Sequence, residues 1–154
     1  MDYRIMFSEL LGGLCVSVEI FLLTLVFALP LGLLIAFGRM SRCMVVRIVF
    51  QVYISVMRGT PLMLQLLVCY FGPYYLFHVP LASGYRFIAV ILAFSLNYAA
   101  YFAEIYRGGI ESMPAGQYEA AKVLGYSSCQ TFFRIILPQV IKRIIPAITN
   151  EVIT

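Results

Sequence analysis

The side chains best suited to chemistry are polar groups set among apolar ones. Asn97, Tyr101, Glu104 and Gly108 recur at i, i+4, i+7 and i+11, a single face if the segment is helical. A polar stripe on an apolar helix suits either a water-filled passage or a seam with a neighbouring helix. Glu104 keeps two readings: lining a pore or substrate site, or pairing with Arg107 three residues on. Asn97 and Tyr101 suit hydrogen bonds to a neighbouring helix as well as lining. Arg58, Gln65, Asn150 and Glu151 complete the candidates. Gln65 is uncharged and suits packing, whereas Asn150 and Glu151 would lie about 10–12 Å beyond Arg143 along a helix. Glu19 stands near the end of an apolar run, within reach of headgroup water. The single histidine, His78, sits beside Pro80 without ligand partners, and Cys15, Cys43, Cys69 and Cys129 share no ligand-like spacing. No G-x-x-x-x-G-K-[ST] stretch exists to cradle a phosphate. These groups point to binding and passage, with no metal or nucleotide cofactor held by the chain itself.

The elements that must position them are apolar throughout. Of 154 residues, 62% are hydrophobic and 12% charged, and the mean hydropathy is +0.94. Soluble domains of ordinary composition carry about 25% charged residues. One small core cannot hide so much apolar surface, which excludes a soluble enzyme and a disordered segment. The chain reads as an all-α, multi-span transmembrane protein. Its first residues carry Asp2, Arg4 and Glu9, unlike the positive start of a signal peptide.

A helical span needs about 20 mostly apolar residues. Ile20 to Gly38 carries no charge, is extended outward by Gly13 to Val18, and ends at Arg39, Arg42 and Arg47. A second apolar region runs from Ile48 to Phe77, a third from Phe87 to Ala103, and a fourth starts near Lys142 and Arg143. The second region admits two readings. Thr60-Pro61 resembles an N-cap with proline in the first turn, yet Gly72-Pro73 resembles a turn, which leaves only about 18 Å of helix between them. A span reaching back toward Ile48, kinked near Pro61, would put Arg58 at some depth. Of the eleven basic residues, eight fall between spans one and two or three and four. Arg4 and Arg86 fall on the other side, and Arg58 is unassigned. The positive-inside rule then places the N-terminus outside and the 107–143 segment in the cytoplasm.

That segment is the most polar in the chain. Pro114 suits a first helical turn, Gly125 a left-handed C-terminal cap, and Ser127 with Gln130 a capping box. Pro138 reads as the end of the second helix. Two short helices joined at a glycine also outline a DNA-binding motif. Lys122 and Arg134 are the only basic residues on this pair, too few for phosphate contacts, and the membrane tether denies groove access. Nucleic acid is not an expected partner.

Glu119-Ala120-Ala121, then Gly125, then Ile135, Leu137 and Pro138 resemble the EAA motif of bacterial ABC importer permeases, with seven residues at the family's spacing. Arg58-Gly59-Thr60-Pro61-Leu62 with Gln65, and Tyr101-x-Ala103-Glu104-Ile105-x-Arg107-Gly108-Gly109-Ile110, resemble its polar amino-acid (histidine/glutamine-type) branch. Gln130-Thr131, Leu137-Pro138-Gln139 and Asn150-Glu151 add to it. The resemblance implies one permease domain over 1–154, multi-pass in the bacterial plasma membrane, with an ATPase-coupling loop at about 107–143. It implies a second permease subunit, homo- or heterodimeric, two cytoplasmic ATPase subunits that hold ATP and Mg, and an extracellular or periplasmic binding protein. The transported solute would be a polar amino acid. Another polar organic solute, or a channel without ATP coupling, is the alternative. The family has five spans, of which about four are expected here. Ile144 to Thr154 would give about 16 Å of helix against a core of about 30 Å, so the last span is expected to be incomplete and the sequence a fragment.

Overall fold

The structure is a computed structural model that describes residues 3–78 and 84–153. Met1, Asp2, residues 79–83 with Pro80, and Thr154 lie outside the described residues. The described chain is all-α, as the composition requires. Its elements are α1 (Tyr3–Arg39), α2 (Met44–Gly59), α3 (Leu62–Phe77), α4 (Tyr85–Glu111), α5 (Ala115–Val123), α6 (Ser128–Thr131) and α7 (Leu137–Ile153), with a π-helical stretch, Phe132–Ile136, joining α6 to α7.

The hub of the fold is the seam between α1 and α4, and small residues make it. Ala28, Gly32 and Ala36 recur every fourth residue on α1, and Ala28 and Ala36 are wholly buried. Opposite them lie the fully buried Ala99, Ala100, Phe102 and Ala103 of α4. A Cβ added at Gly32 would stand 2.8 Å from the Phe102 Cβ and 3.0 Å from the Ala99 carbonyl oxygen. Lipid tails are as apolar as leucine, so membrane helices associate through such close backbone approach rather than by expelling water. The large side chains Val26, Leu34 and Leu92 point outward. A second cluster, Met113, Ile136, Val140 and Ile144, packs the far end of α4 on α7. There Gly109 lets α7 approach, since a Cβ would run into Ile144 and Val140.

Among the described residues, two helices are long and apolar enough to cross a bilayer alone, Met6–Arg39 and Tyr85–Glu111. The first is longer than its uncharged stretch, because Glu19 and Glu9 do not interrupt the helix. The second apolar region is a bent pair of helices, either one broken span or a re-entrant loop, with the break near Pro61 where a kink was expected. It breaks into α2 and α3, whose directions differ by 109° at Thr60–Pro61. A helix does start at this point, but the Thr60 cap and the Gly72-Pro73 turn are both corrected. Pro61 caps α3 from outside with φ −60° and ψ 135°, so the helix starts one residue later than a Thr60 cap implies. Gly72-Pro73 forms no turn, and α3 runs through both. Pro73 offers no N–H to the Cys69 carbonyl four residues back, and Tyr85 supplies the missing donor, Oη to oxygen, at 2.8 Å. The helix ends instead at His78, in the left-handed conformation with φ 54°.

Pro138 likewise does not end its helix. The preceding turn widens, with the Leu137 N–H donating to Phe132, five residues back. Gln139 Nε2 donates to the Ile135 carbonyl at 2.9 Å. The helix therefore passes Pro138 and Lys142 without a break, and the fourth apolar segment belongs to it.

Candidate functional site

A polar cavity of about 490 Å³ opens where α1 ends, lined by Arg39, Gln51, Ser55, Arg58, Tyr101 and Glu104 with Ile54 and Gly59. Gln51, Ser55 and Arg58 follow one face of α2 at i, i+4 and i+7, and Tyr101 and Glu104 share the stripe face of α4. The Arg58 guanidinium carbon stands 5.0 Å from the centroid of the Tyr101 ring, within cation–π range. Arg58 thus shares the cavity with Arg39, the last residue of α1. Glu104 makes the expected pair with Arg107 and also lines this cavity. Its Oε1 accepts from Arg107 Nε at 3.1 Å and its Oε2 from Nη2 at 2.6 Å, while the same side chain lines the cavity. Arg107 is shared with Glu111. The cavity walls therefore carry two guanidinium groups, from Arg39 and Arg58, against one carboxylate whose charge is largely met by Arg107. Such an array can hold a solute bearing both a carboxylate and polar groups.

Asn97 and Gln65 lie beside the cavity and do not line it. Both serve the corner between α2 and α3. The last carbonyls of a helix lack intrahelical donors, and Pro61, the residue that would reach Met57, has no N–H. Gln65 Nε2 donates to the Met57 carbonyl at 2.9 Å, and Asn97 Nδ2 donates to the same oxygen at 3.0 Å. Asn97 Nδ2 also donates to Gln65 Oε1 at 3.0 Å, and Gln65 Nε2 to Thr60 Oγ1 at 2.8 Å. Tyr53 Oη adds a bond to the Leu96 carbonyl at 2.6 Å.

Glu151 is elsewhere. It lines a second cavity of about 460 Å³ with Ser17, Thr24 and Tyr98, which shares no lining residue with the first. Asn150 is exposed on α7. Reading the sequence missed Arg39, Gln51 and Ser55. The spacing of Gln51, Ser55 and Arg58 on one helical face was the available signal, and Arg39 had served only to end a span. Among the described residues, His, Cys, Asp and Glu form no group that could hold a metal ion.

The 107–143 segment runs from the end of α4 through α5, α6 and the π-helical stretch into α7. Gly125, with φ +78°, closes α5. The Tyr126 N–H reaches the Ala121 carbonyl and the Gly125 N–H that of Lys122, both at 3.0 Å, the paired bonds of a Schellman cap. Ser127 and Gln130 form the reciprocal capping box that opens α6. At the base, Arg143 Nη1 donates to the Ser112 carbonyl at 2.7 Å and to its Oγ at 2.9 Å, tying α7 to the end of α4. Glu119 and Ala120 are exposed, Ala121 is buried, Ile135 and Leu137 are half-buried, and Pro138 is exposed. Val123 and Leu124 at the tip are 86% and 73% exposed, an apolar end facing outward from a charged helix.

Residues 28–154 match the family model described as the inner membrane component of binding-protein-dependent transport systems. The chain belongs to this family. Within it, the chain is 39% identical over 143 residues to the L-cystine transport system permease protein TcyB of Bacillus subtilis (strain 168), covering 93% of this chain and 59% of that one. It is 38% identical over 148 residues to the arginine transport system permease protein ArtQ of the same organism, covering 94% and 65%. A putative glutamine transport system permease protein GlnP of Rickettsia bellii (strain RML369-C) is 35% identical over 156 residues, covering 99% and 70%. The chain therefore spans about three fifths to seven tenths of the length of these relatives. The crystal structure of an amino acid ABC transporter with histidines superposes with a TM-score of 0.85 at 36% identity, over 99% of this chain and 71% of that one. The helical architecture is thus that of an ABC permease, a multi-pass component of the inner membrane.

Proposed function

We propose that this chain is the pore-forming permease subunit of an ATP-driven importer of polar amino acids, and that the polar cavity lies on the solute's path. One observation carries the proposal. Glu119, Ala120 and Ala121 of the EAA residues sit on α5, a capped helix that the chain leads into from α4 and out of through α6 and the π-helical stretch into α7. Arg143 ties α7 to Ser112 at the end of α4. A partner that moves α5 therefore moves the spans. The partner is an ATPase, two copies serving a pair of permease subunits. With no phosphate-binding loop in this chain, ATP and Mg sit on those subunits, and this chain is not an enzyme. An extracellular binding protein delivers the solute. The excess of Lys and Arg beside the 107–143 segment supports a cytoplasmic loop and an N-terminus outside. Residues 1–154 act as one permease domain. The arginine, glutamine and cystine systems named among the relatives support an amino-acid cargo. Amphoteric walls in the cavity agree with it.

The test is uptake by proteoliposomes holding the permease with its ATPase and binding protein, supplied with labelled L-arginine, L-glutamine or L-cystine. Uptake of at least one, dependent on internal ATP, is the expected result. Flux that persists without ATP would mark a channel and overturn the coupling. Failure of all three, with uptake of a different solute, would overturn the cargo.

A further inference from the structure

We infer that Gln65 and Asn97 are positioning residues that hold the Arg58 guanidinium in the polar cavity by capping the Met57 carbonyl that Pro61 leaves without a backbone donor. The inference rests on the reading of that cavity as part of the solute's path. The chain turns by 109° between α2 and α3, and Arg58 is the last charged residue before the turn. A helix end with an unbonded carbonyl in low dielectric frays or shifts to find a donor. Here two amides converge on one oxygen, at 2.9 and 3.0 Å, and are bonded to each other. Asn97 belongs to α4 and stands one helical turn before Tyr101, the ring beneath the Arg58 guanidinium. One face of α4 therefore fixes the backbone of α2 at Met57 and presents the platform for the next side chain. Asn97 is buried, with 6% of its surface exposed, so it has no water to exchange for these bonds. Removing either amide frees the end of α2 and lets Arg58 leave the ring.

The experiment reads the charge of the cavity directly. A single reporter thiol is placed by Ser55→Cys after Cys15, Cys43, Cys69 and Cys129 are replaced by serine, in the permease assembled with its partner subunits in membrane vesicles. The reporter is modified by two methanethiosulfonates of similar size, one bearing a sulfonate and one a trimethylammonium group. With Arg58 in place the anionic reagent reacts faster than the cationic one. Arg58→Gln lowers the anion-to-cation rate ratio by about threefold or more. Gln65→Leu and Asn97→Leu each lower it by a similar factor, and Asn97→Leu adds nothing further when combined with Arg58→Gln. A general loss of packing would raise both rates together and leave the ratio alone. Thr60→Val removes one acceptor of Gln65 at an exposed position and gives a smaller fall in the ratio, which keeps the test decisive where Asn97→Leu does not assemble. An unchanged ratio in Gln65→Leu and in Thr60→Val, with Arg58→Gln still lowering it, overturns the inference. Normal amino-acid uptake in Arg58→Gln instead strikes the placing of the cavity on the path, and the rate ratios then judge the positioning separately.

Discussion

The 107–143 loop, proposed to couple to an ATPase, and the polar cavity are built on opposite principles. The loop is local: α5, its Schellman cap and the capping box of α6 are made by residues within a few positions of one another. The cavity is assembled at long range, with Arg39 from α1, Gln51, Ser55 and Arg58 from α2, and Tyr101 and Glu104 from α4. Local construction makes a unit that keeps its shape while its surroundings move, as a mechanical coupler must. Long-range construction makes a site whose walls shift whenever the helices do, as a passage must. If the loop couples and the cavity conducts, as proposed, the first must hold its shape and the second must adjust, and substitutions can test each.

The largest effect is expected at Gly125. Its φ of +78° is a conformation that a β-branched residue adopts at a cost of about 1–2 kcal/mol, and the cap bonds depend on it. Gly125→Val leaves membrane insertion intact, abolishes uptake, and reduces ATPase recovered with the purified permease. Glu119→Lys, on the exposed face of α5, does the same by reversing a charge at the proposed docking surface. Uptake and ATPase retention at normal levels in both variants would make the loop a mere connector.

Gly32→Val attacks the scaffold behind the cavity. With no space between Gly32 and the backbone of α4, the added methyl groups force α1 and α4 apart at a cost of about 1–3 kcal/mol. A lowered midpoint of thermal aggregation in detergent is the expected result, with uptake falling in proportion to assembled protein. Retained stability would mean that the α1–α4 seam yields more easily than its small residues suggest.

The same contrast explains what could be read from sequence. Unbroken apolar runs announced α1 and α4, and the loop's caps followed from Gly125, Ser127 and Gln130, because each depends on neighbours in the chain. The breaks were harder. Pro73 looks like a stop until Tyr85, from the next helix, donates to the Cys69 carbonyl. Pro138 looks like one until the turn before it widens to a π-helix. Arg58, Tyr101 and Glu104 were recognisable as polar residues in apolar surroundings, yet their convergence with Arg39 depends on how α1 and α2 pack. Gln65 and Asn97 were equally visible, but only the 109° corner shows that they cap a carbonyl.

A moderate effect is expected from Glu104→Gln. The substitution keeps the shape of the side chain and removes the one carboxylate of the cavity. Arg107 then retains Glu111 as its ionic partner, so the helix end stays neutralised. Membrane levels should remain near normal while uptake at low substrate falls about tenfold, the scale of exchanging a charged hydrogen-bond partner for a neutral one. Unchanged kinetics in a well-expressed variant would reduce Glu104 to a structural partner of Arg107.

The smallest effect is expected at the base of the loop, where the two regions meet. Arg143 donates from one nitrogen to both the carbonyl and the hydroxyl of Ser112, the C-cap of α4. A cation there also faces the negative end of the α4 dipole, an interaction worth about 0.3–1 kcal/mol at an exposed site. Arg143→Ala removes the bonds and the charge, yet the hydrophobic cluster of Met113, Ile136, Val140 and Ile144 still holds α7 on α4. The loop therefore stays folded but turns more freely about its base, and part of the motion imposed on α5 is lost before it reaches the spans. The expected signature is ATP hydrolysis at its usual rate with uptake per ATP reduced about two- to threefold, in keeping with an interaction of that size. Arg143→Lys, which keeps the charge and one donor, should recover most of it. An equal fall in hydrolysis and uptake would place Arg143 in ATPase docking instead, and the division between a rigid coupler and an adjustable passage would have to be drawn deeper in the bundle.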